Sequence, residues 1–157
     1  FLSYLEDSYL LFTISKFDYS YKKQQINAKK IYAADTGLAQ ANSVSFSQDK
    51  GRMLENAVFV ALKRQGKTVF YYHDKEGREC DFIINEQEQI TEAYQVCYQL
   101  TEDNKEREIQ GLISALQTFN LQEGYIITRN QEDELLWQGK TITLLPAWKW
   151  ETGLAEI

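Results

Sequence analysis

The side chains that could do chemistry together are Glu55, Glu79, Asp81, Gln95 and Cys97. Residues 79–84 read ECDFII, a β-prone run in which alternation puts Glu79 and Asp81 on one face. The next such run, ITEAYQVCYQL, places Gln95 and Cys97 together on one of its faces. If the two strands pair in register, all four side chains gather on one side of a sheet, and Glu55, on the preceding helix, reaches the same place. Hydrolysing a phosphodiester with Mg²⁺ takes hard, preferably charged oxygen ligands and a group that positions and deprotonates water. Glu55, Glu79 and Asp81 supply such oxygens. Gln95 offers a neutral carbonyl, and Cys97 offers neither a cation nor a hard ligand. Three readings follow: a metal-dependent nuclease site, a disabled one, or a hairpin that shares its residue types.

Other motifs carry less. QGKT at 65–68 lacks the first glycine of a phosphate-binding loop, where Ala61 stands, and follows a helix instead of opening one. DTG at 35–37 occurs once, whereas aspartic-protease chemistry needs two aspartates sharing a proton. Asp35 is expected to cap a turn that Gly37 relaxes. His73 is the single histidine, which excludes a two-histidine zinc or iron site within one chain. Cys80 points away from the face of Asp81 while Cys97 sits with Gln95, so no disulfide joins them.

The elements that must hold these groups follow from periodicity. Residues 1–12, FLSYLEDSYLLF, space Leu2, Leu5, Tyr9 and Phe12 as one face of a short helix. LLFTISKF and AKKIYAAD then read as strands on either side of the polar DYSYKKQQIN. A helix followed by a hairpin with a basic tip matches the end of a winged-helix unit; a plain αββ appendage with a solvated loop fits as well. The polar QANSVSFSQDK at 40–50 is the expected boundary. GRMLENAVFVALKRQG is a helix with Leu54, Val58, Ala61 and Leu62 on one face and Gly66 as its stop. KTVFYYH, ECDFII and ITEAYQVCYQL are strands, EDNKEREIQGLISALQTF is a long helix, and EGYIIT and TITLLPAW are two more strands. From residue 51 the order is αβββαββ. The second helix is long enough for a crossover to a parallel neighbour, which gives a mixed sheet of α/β class.

At 157 residues, with 43% apolar and 13% aromatic residues, the chain suits one domain with a smaller appendage. No apolar run approaches the roughly 20 residues that span a bilayer, and no signal peptide opens the chain. With two cysteines and no disulfide framework, a reduced, cytoplasmic setting is expected. The first residue is Phe1 and the single methionine is Met53, so the chain is expected to be part of something longer. A net charge of −6 argues against binding polyanions with the whole surface. Yet residues 15–30 hold Lys16, Lys22, Lys23, Lys29 and Lys30 against Asp18 alone, a balance of +4, while residues 51–157 hold 11 basic and 18 acidic residues, a balance of −7. Any contact with a polyanion such as DNA is therefore expected through the five lysines of the front third.

Taken in order, YLEDSYLLF, KKIYAADTGLA, GRMLENAVFVALKRQG, VFYYHDKEGRECDFII and AYQV resemble the uncharacterised C-terminal domain of prokaryotic AAA-type ATP-binding proteins. The resemblance covers nearly the whole chain. It implies an upstream P-loop ATPase, then a winged helix, then a restriction-endonuclease-like mixed sheet flanked by helices, of the PD-(D/E)xK type. On this view residues 1–45 are a partial winged-helix region and residues 46–157 the nuclease-like domain. Glu55 matches the glutamate of the family's GRxLEN motif, and Glu79 and Asp81 match the acidic residues of GxExDF. Asp35 and Gly37 match its DxGL turn. Gln95 and Cys97 fall where the family shows the glutamate and lysine of EVK, so the departure lies at the positions that would complete a nuclease site.

What the resemblance implies is an accessory module of a cytoplasmic ATPase with a degenerate site, working by binding nucleic acid or a protein partner. ATP belongs to the upstream ATPase domain of the same protein, and Mg²⁺, if bound, to Glu55, Glu79 and Asp81. Two alternatives stand beside it. One is an active Mg²⁺-dependent nuclease using Glu55, Glu79 and Asp81 with a migrated base, for which Lys75 and Lys105 are misplaced. The other is a pure protein-interaction domain, favoured by the acidic balance after residue 51.

Overall fold

The computed structural model describes residues 2–8, 10–35, 37 and 50–153. The front unit comprises α1 (Leu2–Asp7), β1 (Leu11–Ser15), α2 (Tyr21–Ile26) and β2 (Lys29–Ala33). Strands β1 and β2 pair antiparallel with Leu11 opposite Ala33 and Ser15 opposite Lys29. The expected helix–strand–strand order holds, with two differences. The hairpin tip is a helical turn, because Tyr21–Ile26 contains no glycine or proline to break it. Phe12 lies in β1 and packs on Phe59 with the rings tilted, centres 5.9 Å apart, so the helix ends before it. The side chains of Leu2 and Leu5, and Tyr9 altogether, lie outside the described residues, as does most of the expected boundary at 40–50.

From residue 50 the order is α3 (Lys50–Arg64), β3 (Thr68–His73), β4 (Glu79–Glu86), β5 (Gln89–Val96), α4 (Lys105–Thr118), β6 (Glu123–Thr128), β7 (Asp133–Trp137), β8 (Lys140–Pro146) and α5 (Ala147–Glu151). The six strands form one sheet in the order β3-β4-β5-β6-β8-β7. β3, β4 and β5 are antiparallel neighbours, α4 carries the chain over to a parallel β6, and β8 runs parallel to β6. The expected mixed sheet and crossover are present. The expected αβββαββ order missed one strand and one helix. β7 and β8 form a hairpin around Gln138 and Gly139, both at positive φ (50° and 76°), the geometry that a two-residue turn between right-twisting strands requires. Pro146, read as strand interior, is the last residue of β8, opposite Thr128, and its extended backbone (φ −60°, ψ 134°) caps the start of α5.

Both long helices end by the same device. Gly66 at φ 75° donates to Lys63 O while Lys67 donates to Leu62 O, closing α3. Asn120 at φ 58° does so for α4, with Leu121 donating to Leu116 O. The sheet separates two apolar layers. On one face α3 (Val58, Phe59, Leu62) and Trp150 of α5 pack on Phe82, Ile84, Tyr94 and Ile127; on the other, α4 (Ile109, Leu112, Leu116) packs on Cys80, Ile83, Ala93 and Ile126. Fully burying a side chain such as Phe59 or Leu62 stabilises the fold by about 1.5–3 kcal/mol before entropy is counted.

The front unit enters the first layer. Ile14 and Tyr32 are buried there, Tyr32 stacks on Phe59 at 4.3 Å, and buried Asn56 of α3 bonds both the N–H (2.8 Å) and the C=O (2.9 Å) of Ala33. At the edge of the sheet Phe17 donates to Tyr71 O, and the Tyr71 hydroxyl donates to Ala28 O.

Candidate functional site

β4 does not alternate evenly. Phe70 pairs with Ile83 and Tyr72 with Cys80, so Asp81 and Phe82 together oppose the single Tyr71. This bulge lets Phe82 fill the α3 layer while Asp81 also faces α3 and β2. Glu55, on the second turn of α3, meets Asp81 and Glu79 there because α3 is seated on Phe82 through Phe59.

What stands between the three carboxylates is Lys30 of β2. Its Nζ lies 2.5 Å from Glu79 Oε1, 3.0 Å from Asp81 Oδ1 and 3.3 Å from Glu55 Oε1. It also lies 5.6 Å from the centre of the Tyr71 ring. Two further bonds reach the cluster. Asp81 Oδ2 accepts from Val96 N–H at 3.0 Å, and Glu55 Oε1 accepts from the Tyr32 hydroxyl at 2.6 Å. Burial pulls the Lys30 ammonium toward deprotonation, but Asp81, Glu55 and Glu79 more than reverse this and hold its pKa above the ordinary lysine value. Asp81 moves the opposite way. Burial, then the nearby charge of Glu55, raise it to about 7 against the opposing pull of Lys30. Three carboxylates share one ammonium, and the deepest of them takes up the next proton. Burial and Glu55 also keep the Tyr32 hydroxyl protonated.

Gln95 and Cys97 face the other way. Gln95 Oε1 accepts the backbone N–H of Asp81 at 3.2 Å, and its amide donates to Glu108 Oε2 of α4 at 2.8 Å. Cys97 donates to Gln99 O, and burial, followed by Glu108, raises its thiol pKa. Cys80 is fully buried, and both cysteines are free. All five expected site residues line one open cleft of about 560 Å³, but only Glu55, Glu79 and Asp81 converge on a common point. Gln95 and Cys97 line it on the side of α4, where Gln95 meets Glu108.

A divalent ion does not fit this arrangement. The oxygens are of the right kind, yet the point they share holds an ammonium, and among the described residues no set of three His, Cys, Asp or Glu side chains is disposed to bind a metal. Of the five lysines expected to meet DNA, Lys22, Lys23 and Lys29 are exposed and Lys16 is half-buried. Lys30 is turned inward, a placement that departs from the expected surface contact. Strand alternation explains it: Lys30 and Tyr32 share the inner face of β2, while Ile31 is left 52% exposed. That inversion of lysine in and isoleucine out has no local signature. Sequence reading also missed Asn56, Tyr32 and Glu108. Asp35 caps as expected, its Oδ1 accepting Gly37 N–H at 2.7 Å, but Gly37 does not take the left-handed backbone that the relaxed turn implied.

Residues 50–150 match the family described as a domain of unknown function, DUF4143, and residues 1–49 match a second domain of unknown function, DUF8612. The chain belongs to the DUF4143 family. It is also 38% identical to an uncharacterised protein of Methanocaldococcus jannaschii over 96% of its own length, and spans 35% of that relative. No solved structure matches it. The DUF4143 segment begins at α3 and carries Glu55, Glu79, Asp81, Gln95 and Cys97, whereas Lys30 comes from the DUF8612 segment. The cluster thus joins residues of two sequence families.

Proposed function

We propose that this DUF4143 chain is a binding module, an accessory part of a larger AAA-type ATPase, whose restriction-endonuclease-like cleft no longer hydrolyses phosphodiesters. The observation that carries the reading is Lys30. An ammonium bonded to Glu55, Glu79 and Asp81 supplies the charge a metal would otherwise supply, and anchors the front unit to the sheet. With the cleft internally satisfied, the exposed lysines of the front third remain as the means of contact, and their partner is nucleic acid. The parent ATPase would supply ATP binding from its own domain. Support for that parentage is the resemblance together with the relative's greater length.

The test is a nuclease assay on single-stranded and duplex DNA with Mg²⁺ and with Mn²⁺, run on the chain and on Asp81→Ala. The expected result is no cleavage above background in either. Metal-dependent cleavage lost in Asp81→Ala would overturn the reading and favour an active nuclease. The same residue gives that second reading its support, since Lys30 restores near Asp81 the cation that position 97 lacks.

A further inference from the structure

Away from the cleft, beside α2 and the end of α4, aromatic rings collect at the edge of the sheet. Phe17 stands edge-on to Phe70 (5.6 Å), to Phe119 (5.2 Å) and to Tyr19 (5.2 Å), and Phe119 stands edge-on to Tyr72 (5.4 Å). Phe17, Phe70 and Phe119 pack against the α4 layer and are explained by it. Tyr19 lies outside that layer, 84% exposed, and meets it edge-on at Phe17. Beside it opens a recess of about 530 Å³ walled by Phe17, Tyr19, Tyr72 and Phe119, with Lys23 and Ser20 at its rim. The Tyr72 hydroxyl, paired with Thr118 Oγ1 at 2.8 Å, gives it one polar point. Tyr21 and Ile26 on the adjoining α2 are also exposed, at 74% and 75%, next to exposed Lys22 and Lys23. Asp18 is the acidic residue in the recess lining, and its carboxylate already accepts Ser20 N–H at 2.8 Å and faces Lys23 at 3.9 Å.

We propose that this recess takes an unstacked base of single-stranded nucleic acid, stacked on Tyr19, while Lys22 and Lys23 meet the flanking phosphates. Two features combine here. Exposed rings beside lysines match the chemistry of a strand with open π-faces and a charged backbone, and the lysines lie in the one basic stretch (+4 over residues 15–30) of a chain whose net charge is −6. A duplex keeps its base faces stacked on one another and opens only their edges and the phosphates, so it has no π-face for Tyr19 to stack on. The inference rests on the nucleic-acid-binding reading above and narrows it to strand form and to a residue.

Fluorescence anisotropy with a labelled oligothymidylate, an oligouridylate of equal length and a duplex of that length, across a salt series, tests it. At least one single strand binds roughly tenfold or more tightly than the duplex, and its affinity falls as salt rises. Tyr19→Ala weakens single-strand binding by roughly tenfold and leaves duplex binding unchanged, while Tyr19→Phe retains the single-strand affinity. Lys22→Gln with Lys23→Gln weakens every probe. Tyr19 is exposed, so its variants keep the fold, which circular dichroism checks. Equal affinity for strand and duplex, with Tyr19→Ala silent, would overturn the base site and leave a phosphate-binding hairpin standing. Binding to none of the probes would remove both.

Discussion

Lys30 sets the energetics of the cleft. Removing the cation from this partly buried cluster leaves its carboxylates uncompensated; the cost is about 3–5 kcal/mol for a fully buried pair, and solvent at Glu79, 39% exposed, reduces it here. Lys30→Met is therefore expected to destabilise strongly, and the pH dependence of the loss identifies the cause. Asp81 has its folded pKa raised to about 7, above its unfolded value, so the folded state binds the proton more tightly. Its contribution to stability accordingly falls as pH rises from about 4 to about 7. The Lys30 ammonium, also raised, contributes fully below the ordinary lysine pKa and is lost only in strong alkali. In Lys30→Met the attraction that restrains Asp81 is gone, so the loss is larger at about pH 8 than at about pH 5, as urea unfolding at each pH measures. Equal losses would place Lys30 outside the carboxylates' field. Calorimetry gives a second readout, with Mn²⁺ binding measurably to Lys30→Met and not to the parent chain.

At the scale of elements, the cleft depends on how closely α4 lies on β4. A Cβ built on Gly111 would stand 2.0 Å from the backbone oxygen of Glu79. In an isolated helix Gly→Ala gains about 1 kcal/mol. Here overpacking against backbone outweighs that gain, and Gly111→Ala is expected to destabilise by about 1–3 kcal/mol in chemical unfolding. A net stabilisation would show that helix and strand are not in contact there. The main elements were legible from residue types: Val58, Ala61, Leu62 and Gly66 mark α3, and Ile109, Leu112, Ile113 and Leu116 mark α4. β7 was not, because its exposed Glu134 and Leu136 give it no clean inward face and only the Gln138–Gly139 turn betrays it. The bulge at Asp81 was equally hidden. It arises from pairing with β3, and nothing in ECDFII alone requires it.

Across the whole molecule, the front unit and the sheet share one apolar layer through Ile14, Tyr32 and Phe59, and one charged cluster through Lys30. They are expected to unfold together. Trp fluorescence, reporting buried Trp150, and hydrogen exchange at the β1 and β2 amides should give coincident transitions, whereas earlier loss of protection in the front unit would separate the two. The sequence by itself determined the α/β class, the crossover, the identity of Glu55, Glu79 and Asp81 as the acidic set, and the concentration of positive charge in the front third. Those are properties of period, composition and residue type, which act over a few neighbours. Only the tertiary structure decided which lysine leaves that basic stretch to enter the carboxylates, and that Gln95 and Cys97 turn toward α4. Both outcomes come from the docking of β2 on α3 and from the pairing of β3 with β4, where side chains distant in sequence settle their charges against each other.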